Sequence, residues 1–191
     1  MMKPYQTEYS VSFAVCFGSC LILLLLPFNI VASIFFAVVI HELCHIGVLK
    51  VLHIPVYSIE ICANGTIIHT PPLPPAQEFL CAAAGPAGSF LCLLFLRVFP
   101  LFAMCGCVQG LYNMLPIYPL DGGRMLRCIT QFFFSARTDT ICLIIKCVVI
   151  ASIAVICMRF YILTKDRIFA ITALYFMLQT LRRRKIPCKE Q

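Results

Sequence analysis

Apolar residues gather into six stretches along the chain, at about 11–27, 30–52, 79–97, 100–119, 140–158 and 167–181. A helix that crosses a bilayer needs roughly 20 mostly apolar residues. Pro27 and Asn29 part the first two stretches, and Phe99-Pro100 parts the third and fourth. The sixth is short, which suits a tilted helix, a partly interfacial one, or one lengthened by its flanks. The connector at 53–78 is long and patterned differently. Val56 to Ala63 and Thr66 to Thr70 flank Asn64-Gly65, and Asn-Gly between β-capable runs predicts a hairpin. Pro71, Pro72, Pro74 and Pro75 then predict an extended approach to the third span. The expected fold is an all-α polytopic membrane protein: about six transmembrane helices, with a short β-hairpin loop between helices two and three.

Composition agrees. Of the 191 residues, 61% are hydrophobic and 12% charged, against about half and about a quarter in a soluble domain. A soluble globule of this composition would leave large apolar patches in water, and disorder is excluded by the apolar content. We expect one membrane-embedded domain spanning 1–191, with no repeat and no low-complexity tail. Lys3 precedes the run from Val11 to Leu26, but no small-residue cleavage site follows, so that run reads as a retained helix. Most of the 13 cysteines lie inside apolar stretches, where a free thiol behaves as a small hydrophobe. None shows zinc-ligand pairing, and no disulfide framework is legible.

The net charge of +7 does not point to nucleic acid, because the cations sit between and after the apolar runs. With the N-terminus in the cytoplasm, Lys3, Lys50, Arg124, Arg127, Arg137, Lys146, Arg182, Arg183, Arg184, Lys185 and Lys189 fall inside, and only Arg97, Arg159, Lys165 and Arg167 outside. This positive-inside bias predicts a multi-pass protein with both termini cytoplasmic.

Within the second span lies His41-Glu42-Leu43-Cys44-His45. Ionisable groups at membrane depth are costly, and are candidates for function. Positions i and i+4 share a helix face, so two imidazoles can hold one Zn²⁺, with Glu42 beside it to take a proton from water. Chance, or histidines bonding neighbouring helices, is the alternative. A catalytic zinc usually has three protein ligands. Asp121 is the best third candidate, at the end of the fourth span in Asn113-Met114-Leu115-Pro116-Ile117-Tyr118-Pro119-Leu120-Asp121-Gly122-Gly123-Arg124. Pro116 and Pro119 break the helix there, and Gly122 and Gly123 permit close backbone approach. The competing role for Asp121 is a helix-end carboxylate paired with Arg124 or Arg127. The topology favours the ligand role, since it brings Asp121 to a similar depth as the histidines. His53 lies roughly 12 Å beyond His45 along a helix and is expected at the interface. His69 is expected in the loop, and Cys44 in packing.

His41-Glu-x-x-His45 followed by Asn113-x-x-Pro116-x-x-Pro119-Leu-Asp121-Gly resembles the site-2 protease family of intramembrane zinc metalloproteases, over about Ile30 to Arg124. The resemblance implies one zinc per chain on His41, His45 and Asp121, Glu42 as general base, and Asn113 holding substrate or the oxyanion. It implies hydrolysis of membrane-spanning or membrane-associated protein substrates in regulated intramembrane proteolysis. The partners it implies are that substrate, the lipid bilayer and a regulatory membrane protein. Ala84-Gly85-Pro86-Ala87-Gly88-Ser89 in the third span also looks familial. Many relatives carry asparagine about where Ser89 stands, and close packing by small residues is the expected role here. The layout without a soluble insert resembles the compact sporulation-type branch, whose members cleave proteins such as a pro-sigma factor. Those relatives often carry a C-terminal nucleotide-sensing domain, and with the chain ending at Gln191 that kind of control is not expected.

Two other classes remain at this stage. A membrane metalloprotease with a glutamate third ligand is disfavoured, because no downstream Glu lies in a span. A non-catalytic membrane scaffold or transport subunit, its metal structural or absent, is the second. Transporters usually show paired broken helices, and only Pro116 to Gly123 reads as one.

Overall fold

The structure is a computed structural model, and it describes residues 8–11, 26–62 and 65–165. The expected first span (11–27) and last span (167–181) lie almost wholly outside these, as do Asn64 and the basic run 182–185. In chain order the described elements are β1 (Glu8–Val11), α1 (Phe28–Val51), β2 (Ser58–Cys62), β3 (Gly65–His69), α2 (Pro75–Leu91), α3 (Pro100–Asn113), α4 (Asp121–Phe134) and α5 (Thr138–Thr164), with 3₁₀ turns at Cys92–Phe95 and Ser135–Arg137.

Among the described residues, three helical stretches are long and apolar enough to cross a membrane: Phe28–Val51, Pro75–Phe95 and Asp121–Thr164. The protein is thus mostly helical and built for a bilayer. Its outside is apolar, with Phe28 80% exposed and Leu94 79%, and its inside holds small and polar groups. Lipid, not water, suits such a surface.

Three boundaries differ from the sequence expectation, each for a local reason. The third span starts at Pro75 rather than 79, because proline is well placed at the first helical position, where its missing N–H costs nothing. The fourth helix ends at Asn113, so its 14 residues reach only about 21 Å. Met114 to Leu120 follow as turns containing Pro116 and a cis Tyr118-Pro119 bond. The segment from Asp121 onward, between the expected fourth and fifth spans, is helical. Asp121–Thr164 spans 44 residues, about 66 Å if straight and about twice a bilayer's hydrocarbon core. It is broken at Ser135–Arg137, and α5 alone is long enough to cross.

The hairpin is present. β2 and β3 pair antiparallel with Ile59 opposite Ile68 and Ile61 opposite Thr66, and β1 lies parallel on the other side of β2. Gly65, the second residue of Asn-Gly, already pairs with Cys62 and opens β3. That register puts Ile59, Ile61, Thr66 and Ile68 on one face, because side chains alternate along a strand.

Helix α2 is the centre of the bundle. It packs against α1, α3 and α4, while α5 packs against α4. The buried positions of α1 are Ala37, His41, His45 and Leu49, a four-residue rhythm along one face. On α2, Cys81, Gly85 and Ser89 are buried with the same rhythm. These two stripes face each other.

Candidate metal centre

His41 and His45 project from the inner face of α1, and Asp121 opens α4. His41 Nε2 lies 3.1 Å from Asp121 Oδ2, His45 Nε2 lies 3.3 Å from the same oxygen, and the two nitrogens are 3.3 Å apart. All three residues are buried. They form the one cluster of metal-capable side chains found among the described residues.

This triangle can be tested against a metal. Bonds of about 2.0–2.1 Å to Zn²⁺ in tetrahedral array put neighbouring donor atoms roughly 3.3–3.4 Å apart. The observed edges match within about 0.2 Å, and two imidazoles with one carboxylate are a donor set zinc accepts. The residues therefore fit one zinc ion, with a fourth position left for a small ligand.

The surroundings explain why the side chains point this way. His45 Nδ1 lies 2.7 Å from the backbone carbonyl of Cys81. A carbonyl only accepts, so that nitrogen carries a proton and Nε2 is the ring nitrogen turned toward Asp121 and His41. His41 Nδ1 lies 2.9 Å from Ser89 Oγ. Gly85 sits between these contacts. A Cβ there would fall 2.6 Å from His45 Cε1 and 2.7 Å from His41 Cε1, and closer still to His45 Nε2. The α2 backbone thus runs against both rings. At Asp121, Gly122 and Gly123 let the first turn of α4 press on the backbone from Met114 to Tyr118, where a Cβ would collide. That is the close approach the sequence led us to expect.

Both environments weighed for Asp121 are present at once. Oδ2 faces the histidines, while Oδ1 lies 3.8 Å from Arg124 Nη1, whose Nε is 3.7 Å from Glu78 Oε1 at the start of α2. Arg127 pairs instead with Asp139 at 3.7 Å.

Glu42 follows His41 on α1, beside the triangle, and Thr66 of β3 lies close to its carboxylate. The start of β3 therefore comes close to the site. Asn113 ends α3, and its Nδ2 donates to the Gln109 carbonyl at 3.2 Å. An amide carries two N–H groups, so one remains for another acceptor. Cys44 packs where Gly88 approaches α1. His53 stands beyond the end of α1 with φ of 55°. There its N–H donates to Lys50 and the Ile54 N–H to Leu49, a Schellman closure of the helix. His69 pairs with Glu60 at 3.2 Å on the exposed side of the hairpin.

Sequence reasoning missed Ser89 and Gly85 as neighbours of the centre, having assigned their segment to packing alone. The available signal was the rhythm 81, 85, 89 set beside 37, 41, 45, 49.

No family model matches the chain. Over 110 residues, half of this chain, it is 29% identical to a curated zinc metalloprotease of Methanocaldococcus jannaschii. The match spans about a third of that relative's length, 32%. Among solved structures, the site-2 protease from Methanocaldococcus jannaschii superposes with a TM-score of 0.68 at 21% identity, covering 100% of this chain and 97% of that one. The chain is similar in fold to that site-2 protease over its whole length, and in sequence to that zinc metalloprotease over half of it.

Proposed function

From the fold of the site-2 proteases and a buried His-His-Asp triangle of zinc dimensions, we propose that this chain is an intramembrane zinc metalloendopeptidase. The observation that carries this is the triangle itself: donors from two separate helices meet at 3.1–3.3 Å inside an apolar bundle. Leaving such groups unliganded in lipid is expensive. The whole chain, 1–191, acts as one membrane-embedded peptidase domain of about six spans, and the Lys and Arg distribution supports cytoplasmic ends.

His41, His45 and Asp121 hold one zinc. A bound zinc supplies Lewis acidity, polarising the scissile carbonyl and making water a competent nucleophile near neutral pH. Glu42 takes the proton of the attacking water and passes it to the leaving amine. Thr66 steadies one side of the Glu42 carboxylate while that transfer occurs. Asn113 supports the developing oxyanion with the N–H not given to Gln109.

The substrate is a membrane-spanning or membrane-associated protein, cleaved in regulated intramembrane proteolysis. A peptide bond inside a helix is shielded by its own hydrogen bonds and must be unwound first. The β3 edge of the hairpin offers backbone groups to which an extended segment can add as a strand, and Thr66 puts that edge beside Glu42. A regulatory membrane protein reaches the site through the lipid-facing helices or the 53–78 loop.

The test is zinc content and cleavage together, in detergent. Wild type should hold about one zinc per chain and cut a labelled single-span peptide from a panel of such peptides. A chelator and Asp121→Ala should remove both properties. Wild type without zinc, or cleavage indifferent to chelator, would refute the assignment.

A further inference from the structure

We propose that Ser89 is a positioning residue of the metal centre: its hydroxyl oxygen accepts the Nδ1–H of His41 and so turns the bare Nε2 of that ring toward Asp121 and His45. The inference rests on the zinc reading above and adds to it a residue outside the ligand set.

The two histidines are not held alike. His45 has no choice of tautomer, because its Nδ1 faces the Cys81 carbonyl at 2.7 Å. His41 faces a hydroxyl at 2.9 Å, which can donate or accept. Its Nε2 also faces an acceptor, Asp121 Oδ2 at 3.1 Å, and lies 3.3 Å from His45 Nε2. Without an acceptor at Nδ1, the His41 proton would settle on Nε2, between the very atoms that must face the metal. A cation in the triangle needs that proton on the far side of the ring. Ser89 is the partner the structure provides there.

Burial sharpens the point. His41 is 3% exposed and Ser89 0%, so an Nδ1–H without Ser89 would be a buried donor lacking its partner. Ser89 is itself pinned. A Cβ on Gly110 of α3 would lie 3.1 Å from Ser89 Cβ, and one on Gly106 would lie 2.9 Å from the Ser89 carbonyl oxygen. Helix α3 thus fixes Ser89, Ser89 orients His41, and the Cys81 carbonyl orients His45 from two turns away on the same helix. Outer partners of this kind commonly carry about 10–100-fold in metal affinity. A serine present only for packing would behave differently, since alanine fits the same space and removes one atom.

The experiment compares full-length wild type, Ser89→Ala and Ser89→Cys in detergent. It measures zinc affinity by chelator competition, histidine tautomers by ¹⁵N NMR, and thermal unfolding of the metal-free proteins. Ser89→Ala should bind zinc about 10–100-fold more weakly while unfolding like wild type, with Ser89→Cys between them. In zinc-loaded wild type, His41 should carry its proton on Nδ1. Wild-type affinity in Ser89→Ala, or a His41 that binds through Nδ1, would overturn the proposal while leaving the zinc site standing. Absence of zinc from wild type would instead sink the metalloprotease assignment and this role with it. Should Ser89→Ala fail to fold, the Ser89→Cys affinity and the wild-type tautomer decide.

Discussion

Replacing Gly85 with alanine should empty the candidate metal centre while leaving His41, His45 and Asp121 in the sequence. The added Cβ would stand 2.6 Å from His45 Cε1 and 2.7 Å from His41 Cε1, and nearer still to His45 Nε2. Comfortable contact between carbon atoms begins near ~3.5 Å, so two rings are each about 0.8–0.9 Å too close. Neither ring can simply swing away. His45 is tied at Nδ1 to Cys81 and His41 at Nδ1 to Ser89, and both bonds come from the helix that carries the new methyl. Relief therefore requires α1 and α2 to part, or a ring to turn off its tether. Either moves a ligand nitrogen by several tenths of an ångström or more, and metal sites tolerate about 0.2 Å. Overpacking should also cost about 1–3 kcal/mol in stability. The assay is zinc per chain after purification, together with the affinity of chelator-stripped protein on reloading. We expect zinc near zero, in a protein that still runs as a folded species. One zinc per chain at wild-type affinity would refute the close approach of α2 to both histidines.

Two further variants probe the same geometry. Glu42→Gln should keep about one zinc per chain, because Glu42 stands outside the His-His-Asp cluster, and lower cleavage about 10²–10⁴-fold; cleavage at the wild-type rate would remove Glu42 as the proton carrier. Gly47→Ala is the matched control for Gly85, since a Cβ there meets nothing within 4 Å. It should leave zinc affinity unchanged and stabilise α1 by about 0.5–1 kcal/mol, read as a rise in Tm; a loss of zinc would show that glycine on this helix matters for more than local space.

The sequence by itself determined whatever depends on neighbours a few residues apart. Six apolar stretches announced a bilayer protein. One turn of helix fixed His41 and His45 on a common face, because four residues advance little more than a full turn. Asn64-Gly65 between β-capable runs announced a hairpin. The Pro116 to Gly123 run announced a broken backbone, and with it a candidate third ligand that the Lys and Arg topology set at the depth of the histidines and the resemblance paired with them.

Only the tertiary structure decided which helices touch, and so which residues matter around the ligands. Cys81, Gly85 and Ser89 look like packing in the sequence, because a small residue in a lipid-embedded helix has the same local signature whatever faces it. Their contacts with His45 and His41 exist only because α2 lies against the histidine face of α1. The same holds for Thr66 beside Glu42, for Glu78 reaching Arg124, and for a fourth helix that stops at Asn113 so that Asp121 can begin the next one. Hydrogen bonds and excluded volume act over a few ångströms in space. Between residues 41 and 89, or 45 and 121, no local pattern in the chain records that distance; it arises when the helices pack.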